Sequence, residues 1–469
     1  MRHRLHRSTW PVLALIVVGA ITLLRYDRPL IRGDGVAYLA WLDTFVRDRD
    51  LDLTNQFERF QHVNTYQITW HIERQRFVDI FPFGAAIVHA PSYALANALA
   101  GQGRAGANPD YFRQMQGVEQ VYSLALMFGA NALALGAMLL ALRLARPLAG
   151  AWSAAFLAWA VLAGSPLLYY STVTPLNSHN PAAFLLALML YLLVTRTSTL
   201  AGGPPAEAAP AGRARALAAW IVLGGATGLM VLVRWQLIAV AGLGWIALVA
   251  RRQWTGLAVA TAAAALALIP LPLVWNHLFG DPFIVPYDET TGEQFMGLPV
   301  NAHRVLGQMI GYAPLTVLSL LGLPALWRRD RLWAGLLGGM IAVQVLINGA
   351  ARDWYAGDTF GPRRMSELYA VYVLLLAALA GRLPAPSAWR SRHAWRPLGA
   401  RVAVMALLVY SLVLFRAFLL FTWTNPQGQF ADEPGVMLRY WRQHPAREET
   451  YRAVLDAHVG PVAWNQPGP

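Results

Sequence analysis

Eleven apolar runs, each about long enough to cross a bilayer and separated by short breaks, constrain this chain more than any motif in it. They fall near residues 10–26, 118–143, 149–170, 181–196, 216–234, 236–251, 254–276, 304–327, 332–350, 366–382 and 401–423. A helix needs about 20 apolar residues to span a hydrocarbon core. Of the 469 residues, 56% are hydrophobic and 13% charged, where a soluble domain carries about 25% charged. A soluble fold with this many buried helices would have almost no polar surface. The expectation is an all-α polytopic membrane protein.

Charge placement gives the sidedness. The chain has no Lys, so all 38 basic residues are Arg. Residues 1–7 are basic, and the apolar run after them lacks a small-residue cleavage site, which predicts an uncleaved first helix. Arg143/Arg146, Arg196/Arg213/Arg215, Arg251/Arg252, Arg328/Arg329/Arg331 and the 382–401 loop alternate as cytoplasmic segments, provided one further apolar stretch, 80–100, does not cross. That stretch is therefore read as an interfacial or re-entrant helix. With the N-terminus, the inner segments hold 18 Arg and two acids, Glu207 and Asp330. The N-terminus is then cytoplasmic and the C-terminus on the outer face. The same clustering argues against nucleic acid as the partner of a chain with net charge +13. The absence of Cys excludes disulfides and thiol chemistry.

The resulting organisation is a transmembrane unit over 1–424 and an outer-face tail over 425–469. Within the unit, 27–117 is a first outer loop with amphipathic and re-entrant helices. An Ala/Gly/Pro-rich stretch, 195–215, reads as a flexible cytoplasmic linker. A second outer loop, 277–303, has the form of a substrate lid, and the basic, Trp-bearing 384–401 stretch suits anionic lipid.

Polar residues gather at the outer ends of the spans. Asp34 stands between Gly33 and Gly35 just after the first span. A carboxylate at a membrane boundary is costly unless used or paired, so Asp34 is read as a chemical group or as the N-cap of an amphipathic helix over 36–46, two roles that are compatible. Asp79 precedes Phe81-Pro82-Phe83-Gly84, as a substrate contact or as a salt-bridge partner of Arg76. Asn177 and His179 lie in Thr174-Pro175-Leu176-Asn177-Ser178-His179-Asn180-Pro181, a rigid connector where His179 could ligate a metal or hold a phosphate or sugar hydroxyl. Arg234, Arg352, Arg363 and Arg364 sit at outer span ends. Guanidinium groups bind phosphate bidentately; the alternative is an aromatic belt with snorkelling Arg.

Several of these stretches together resemble the GT-C glycosyltransferases, above all the branch of protein O-mannosyltransferases and aminoarabinose transferases (glycosyltransferase family 39-like). They are Gly33-Asp34-Gly35-Val36-Ala37-Tyr38, Asp48-Arg49-Asp50-Leu51-Asp52-Leu53, Phe81-Pro82-Phe83-Gly84-Ala85, Ser165-Pro166-Leu167-Leu168-Tyr169-Tyr170, Asn177-Ser178-His179, Val233-Arg234-Trp235-Gln236 and Phe360-Gly361-Pro362-Arg363-Arg364. The resemblance implies a GT-C fold in a bacterial cytoplasmic membrane and a polyprenyl-phosphate-linked sugar donor. It also implies transfer with inversion to a glycan, lipid or protein acceptor on the outer face, and places the first-loop aspartate at Asp34. Arg234, Arg363, Arg364, Arg352, His179, Asn177 and Asp79 are then candidates for holding donor phosphate and sugar. Gly35 replaces an acidic residue that often follows that aspartate, and Phe81-Pro82-Phe83 replaces a proline pair. A divalent metal is possible, with Asp34, Asp79 and His179 as candidate ligands; no other cofactor is expected. The competing readings are a flippase for a lipid-linked saccharide, which favours internal repeats and mid-span polar residues, and a polymerase or ligase of lipid-linked oligosaccharides.

Overall fold

The computed structural model describes residues 2–26, 31, 33–61, 64, 66–99, 120–198, 200, 213–291, 294–356, 360–382, 395–424 and 434–443. It is a helical bundle in which the membrane-length elements are α1 (Arg2–Tyr26), α5 (Gln120–Ala149), α8 (His179–Thr197), α9 (Arg213–Val233), α17 (Arg331–Ala350) and α19 (Trp395–Thr424), together with the continuous pair α11 (Trp254–Leu268) and α12 (Pro270–Phe279). Seven helices are long and apolar enough to cross a membrane among the described residues.

The other four expected spans are shorter or bent, each for a local reason. The run near 149–170 stops at Gly164, ahead of Pro166, and becomes α6 (Ala151–Ala163) and the short α7 (Leu167–Thr172). The run 236–251 enters through a tight turn over Trp235–Leu237 and continues as α10 (Ile238–Ala250). The run 304–327 bends by 110° between α14 (Ala302–Tyr312) and the segment opened by α15 (Pro314–Leu318) and ended by α16 (Leu323–Trp327). Pro314 drives its neighbour out of the helical region, and Ala313 sits at φ −136°, ψ 57°. The run 366–382 contributes α18 (Tyr369–Ala380), preceded by a turn over Arg363–Leu368. Residues Tyr369 to Ala378 are all buried, which makes α18 an inner helix of the bundle.

The first loop builds a platform on the bundle: α2 (Asp34–Leu42), α3 (Thr54–Phe60), a hairpin of β1 (Ile68–His71) and β2 (Arg76–Asp79), and α4 (Gly84–Leu99). The hairpin is an addition to the expected all-α plan. Its register pairs Ile68 with Asp79 and Trp70 with Phe77, from short runs of β-branched and aromatic residues. At 16 residues, α4 is about 24 Å long, less than a bilayer core of about 30 Å. The stretch over 36–46 was expected to be amphipathic, yet Gly35 to Leu42 are all buried. The rest of the platform and the 174–178 connector of the bundle cover α2 between them. Asp43 pins the platform together, taking hydrogen bonds from Arg59 of α3 and Tyr93 of α4, and Trp41 donates to the Phe81 carbonyl (2.9 Å).

The ends of the expected 195–215 linker are helical, since α8 runs to Thr197 and α9 starts at Arg213. Residues 201–212 lie outside the described residues, as do 101–119, most of 384–401, and 425–433 and 444–469 of the tail. The loop after α12 contains α13 (Pro286–Thr291), and α20 (Pro434–Gln443) belongs to the tail.

Helix direction separates the charges. In α8 and α9, Arg196, Arg213 and Arg215 lie at the ends opposite His179 and Arg234. Arg251 meets Asp330 (3.1 Å) at the start of α17, a full helix away from Ala350.

Candidate active site

Three guanidinium groups and one carboxylate come from three separate places in the chain to line one cavity of about 100 Å³. Asp34 opens α2, Arg234 follows α9, and Arg363 and Arg364 precede α18. The convergence depends on two tight backbone approaches. A Cβ at Gly35 would lie 2.8 Å from the Leu176 carbonyl oxygen, and one at Gly84 would lie 2.3 Å from the Leu232 backbone. The first seats the 174–178 connector against Asp34; the second brings the start of α4 onto the end of α9, beside Arg234. Glycine permits what a side chain would block.

Asp34 is the first residue of its helix rather than the cap; Gly33 holds the cap position. Its Oδ2 instead accepts from Arg363 Nη1 at 3.0 Å, with both side chains largely buried (16% and 14% exposed). Arg364 pairs with Asp353 (2.6 Å) and lies against the Phe295 ring at 5.3 Å. Arg234 donates through Nη1 to Ser178 (2.7 Å) and through Nε to Glu367 (3.0 Å). Glu367 is fully buried, and the same oxygen lies 2.8 Å from His179 Nδ1. Charged pairs this far from water hold geometry well but leave a costly charge when one partner is removed.

The remaining expected residues divide. His179 is buried, packs on Tyr170 (centroids 4.3 Å apart) and turns to Glu367. Asn177 is spent on the connector itself: its amide donates to the Tyr170 and Pro175 carbonyls, and its oxygen accepts from the His179 and Asn180 backbone. Asp79 does not meet Arg76, which lies instead on His277 (2.9 Å). The Asp79 carboxyl is buried, accepts from the Phe81 N–H (2.8 Å), and keeps Oδ2 without a hydrogen bond. Burial, reinforced by the charge on Asp34, pushes it well above the usual carboxylate range. Arg352 is exposed and does not line the cavity; its backbone N–H donates to the Phe295 carbonyl (2.8 Å).

Glu367, Ser178, Tyr38 and Asp353 complete the site and were not singled out in the sequence. Tyr38 is buried one turn after Asp34 and hydrogen-bonds Ser178. Glu367 had a signal, as the one acid in the run expected to span over 366–382. Of the three candidate metal ligands, Asp34 faces a guanidinium, Asp79 is buried at the end of β2, and His179 is engaged by Glu367. No group of three His, Asp or Glu suited to a metal occurs among the described residues.

No protein-family model and no curated protein matches this sequence. Solved structures do. ArnT from Cupriavidus metallidurans in the apo state superposes over 97% of this chain and 74% of its own, with TM-score 0.55 and 16% identity. The chain has a GT-C fold. ArnT bound to undecaprenyl phosphate matches with TM-score 0.52 and 15% identity over 97% of this chain and 77% of that one. The archaeal oligosaccharyltransferase AglB from Archaeoglobus fulgidus, in complex with an inhibitory peptide and a dolichol-phosphate, gives 0.52 and 14%, over 99% and 61%. Both neighbours are GT-C proteins. In this chain the residues Asp34, Arg234 and Arg363 line the cavity beside Tyr38, Phe81 and Pro82 of the loop platform. Phe295 and Met296 of the segment 294–301 line the same cavity, and the segment is tied to the end of α17 by hydrogen bonds from Gly297 to the Ala350 carbonyl (2.8 Å) and from Asn301 to that of Gly349 (2.7 Å).

Proposed function

We propose that this protein is a membrane glycosyltransferase. It moves a sugar from a polyprenyl-phosphate-linked donor to an acceptor hydroxyl or amine at the outer face of a bacterial cytoplasmic membrane, with inversion. The observation that carries this reading is the joint lining of one cavity by Asp34, Arg234, Arg363 and Arg364, at the ends of apolar helices between which a lipid chain would lie.

The chemistry follows from those groups. An acceptor hydroxyl is a poor nucleophile near neutral pH, and a carboxylate within hydrogen-bond reach removes its proton as the new bond forms. Asp34 takes that role. The acceptor oxygen bonds to the sugar C1 while the C1–O bond to phosphate breaks on the opposite side, and the electron pair leaves with the lipid phosphate. That leaving group is already a stable anion, so it needs positive charge rather than a proton. Arg363 and Arg234 supply it. Arg363 is paired with Asp34, so an arriving phosphate exchanges with the carboxylate and frees the base. Glu367 and Ser178 fix Arg234 in place, and the 294–301 segment acts as the lid.

The test uses the purified full chain in lipid nanodiscs with labelled polyprenyl-phosphate sugar and an extract of envelope glycans and lipids as the acceptor source. Release of free polyprenyl phosphate that depends on the extract supports the reading. Movement of intact donor across a vesicle bilayer without bond cleavage would replace it with the flippase.

A further inference from the structure

A second, larger cleft lies beside the hairpin. It encloses about 880 Å³ between the turn after α2, the hairpin and the end of α12, and its walls include Arg49, Asp50, Asp52, Trp70, Arg76 and Phe77. Trp70 is 45% exposed. It packs edge-on against Phe77 (5.0 Å), which in turn stacks on Phe57 of α3 (4.1 Å). An aromatic surface kept half-open, where it could have been buried, is a platform for a partner.

The polar walls carry both signs. Asp50 and Asp52 use Oδ1 for local bonds to the Asp52 and Thr54 backbone (3.2 and 3.0 Å), which fixes each carboxylate and leaves its second oxygen for a ligand. Arg49 and Arg76 add planar donor forks. An anionic ligand would meet the carboxylates and a cationic one the guanidinium groups. A ligand that is uncharged, donates and accepts around its rim, and has apolar C–H faces suits all of them. That is a sugar ring. An anionic lipid surface fits poorly for the same reason as any anion.

We infer that this cleft docks an oligosaccharide, the acceptor of the transfer proposed above, on which this assignment of substrate class rests. The geometry connects the two sites. Strand β2 starts in the cleft at Arg76 and Phe77 and ends at Asp79, next to Phe81 and Pro82 in the wall of the Asp34 cavity. Three residues of strand cover about 10 Å, a distance that a short run of linked sugars bridges. The chain end would then reach Asp34 while inner sugars rest on Trp70.

The experiment is saturation-transfer NMR and titration of the full chain in nanodiscs with cellohexaose, maltohexaose and chitohexaose, with glucose as the monosaccharide control. At least one hexasaccharide should bind with saturation on its ring C–H protons. Trp70→Ala should weaken it tenfold or more, and Arg49→Ala by a smaller factor. Trp70→Phe, which keeps an aromatic face and the packing on Phe77, should retain most of the binding, which separates loss of the platform from loss of fold. No binding by any of the three, or binding unchanged by Trp70→Ala, overturns the inference. Donor cleavage reads the transferase reaction separately, so a chain that binds glycans without cleaving donor sinks the transferase reading alone, and the converse result sinks the glycan site alone.

Discussion

Replacing Glu367 with Gln tests how the site is held. The side chain is fully buried, and one of its oxygens serves both Arg234 (3.0 Å) and His179 (2.8 Å). The substitution keeps shape and one acceptor but removes the charge. The Arg234 side chain is only 11% exposed, so its guanidinium becomes a nearly buried cation without a counter-ion. Breaking a buried pair in this way costs about 3–5 kcal/mol. The Arg234→Gln single variant leaves the reverse defect, a buried carboxylate. The double variant Arg234→Gln/Glu367→Gln removes both charges and should recover much of either loss, through a coupling energy that exceeds the smaller single loss, more than about 3 kcal/mol. Stability would be followed by thermal unfolding in detergent, and function by donor cleavage in nanodiscs. The double variant should be well folded and still turn over poorly, because the phosphate has lost a cation. A Glu367→Gln protein as stable as the parent, or a double variant no better than the worse single one, would refute this description of the pair.

Other perturbations have equally definite outcomes. Arg363→Ala should raise the donor KM strongly, through loss of a charge-assisted phosphate contact worth about 1.5–3 kcal/mol, measured by initial rates over donor concentration. Gly84→Ala places a methyl group 2.3 Å from the Leu232 backbone and should destabilise the fold by about 1–3 kcal/mol, seen as a lower unfolding midpoint. Phe295→Ala removes the ring from Arg364, a contact worth about 0.5–2 kcal/mol, and should speed donor release in stopped-flow dilution. Asp79 carries a raised pKa caused first by burial, so the folded state binds a proton that the unfolded state gives up above about pH 4. Stability therefore falls as pH rises from that value through the raised one. Asp79→Asn should flatten the slope in unfolding midpoints measured across pH.

The sequence made the helices and the polar ends legible, because long apolar runs and carboxylate or guanidinium groups at their boundaries are local signals. Asp34, Arg234 and Arg363 stood out in that way. Their pairing did not, since Asp34 and Arg363 are 329 positions apart and contacts of that range leave no periodic trace in a single chain. Glu367 was absorbed into an expected span because its neighbours Leu368 to Ala380 are nearly all apolar; only the fold shows that Arg234 and His179 share it. Asn177 looked like a ligand contact because a polar loop residue and a turn-forming one have the same chemistry, and the difference lies in which carbonyls surround it. The bend at Ala313 was written in Pro314, but proline also occurs in unbroken spans, and α12 opens with Pro270 without a break. The hairpin consists of two four-residue strands, too short for alternation to stand out from loop.

The most direct measurement is donor binding and donor cleavage by Asp34→Asn in nanodiscs, side by side with the parent chain and with labelled polyprenyl-phosphate sugar. Removing the carboxylate charge takes away the base while leaving Arg234, Arg363 and Arg364 for the phosphate. The expected result is binding at least as tight as the parent's, since Arg363 no longer has a competing anion, with cleavage reduced by about 10²–10⁴. Cleavage at the parental rate would contradict the assignment of Asp34 as the base and, with it, the chemistry assigned to this cavity.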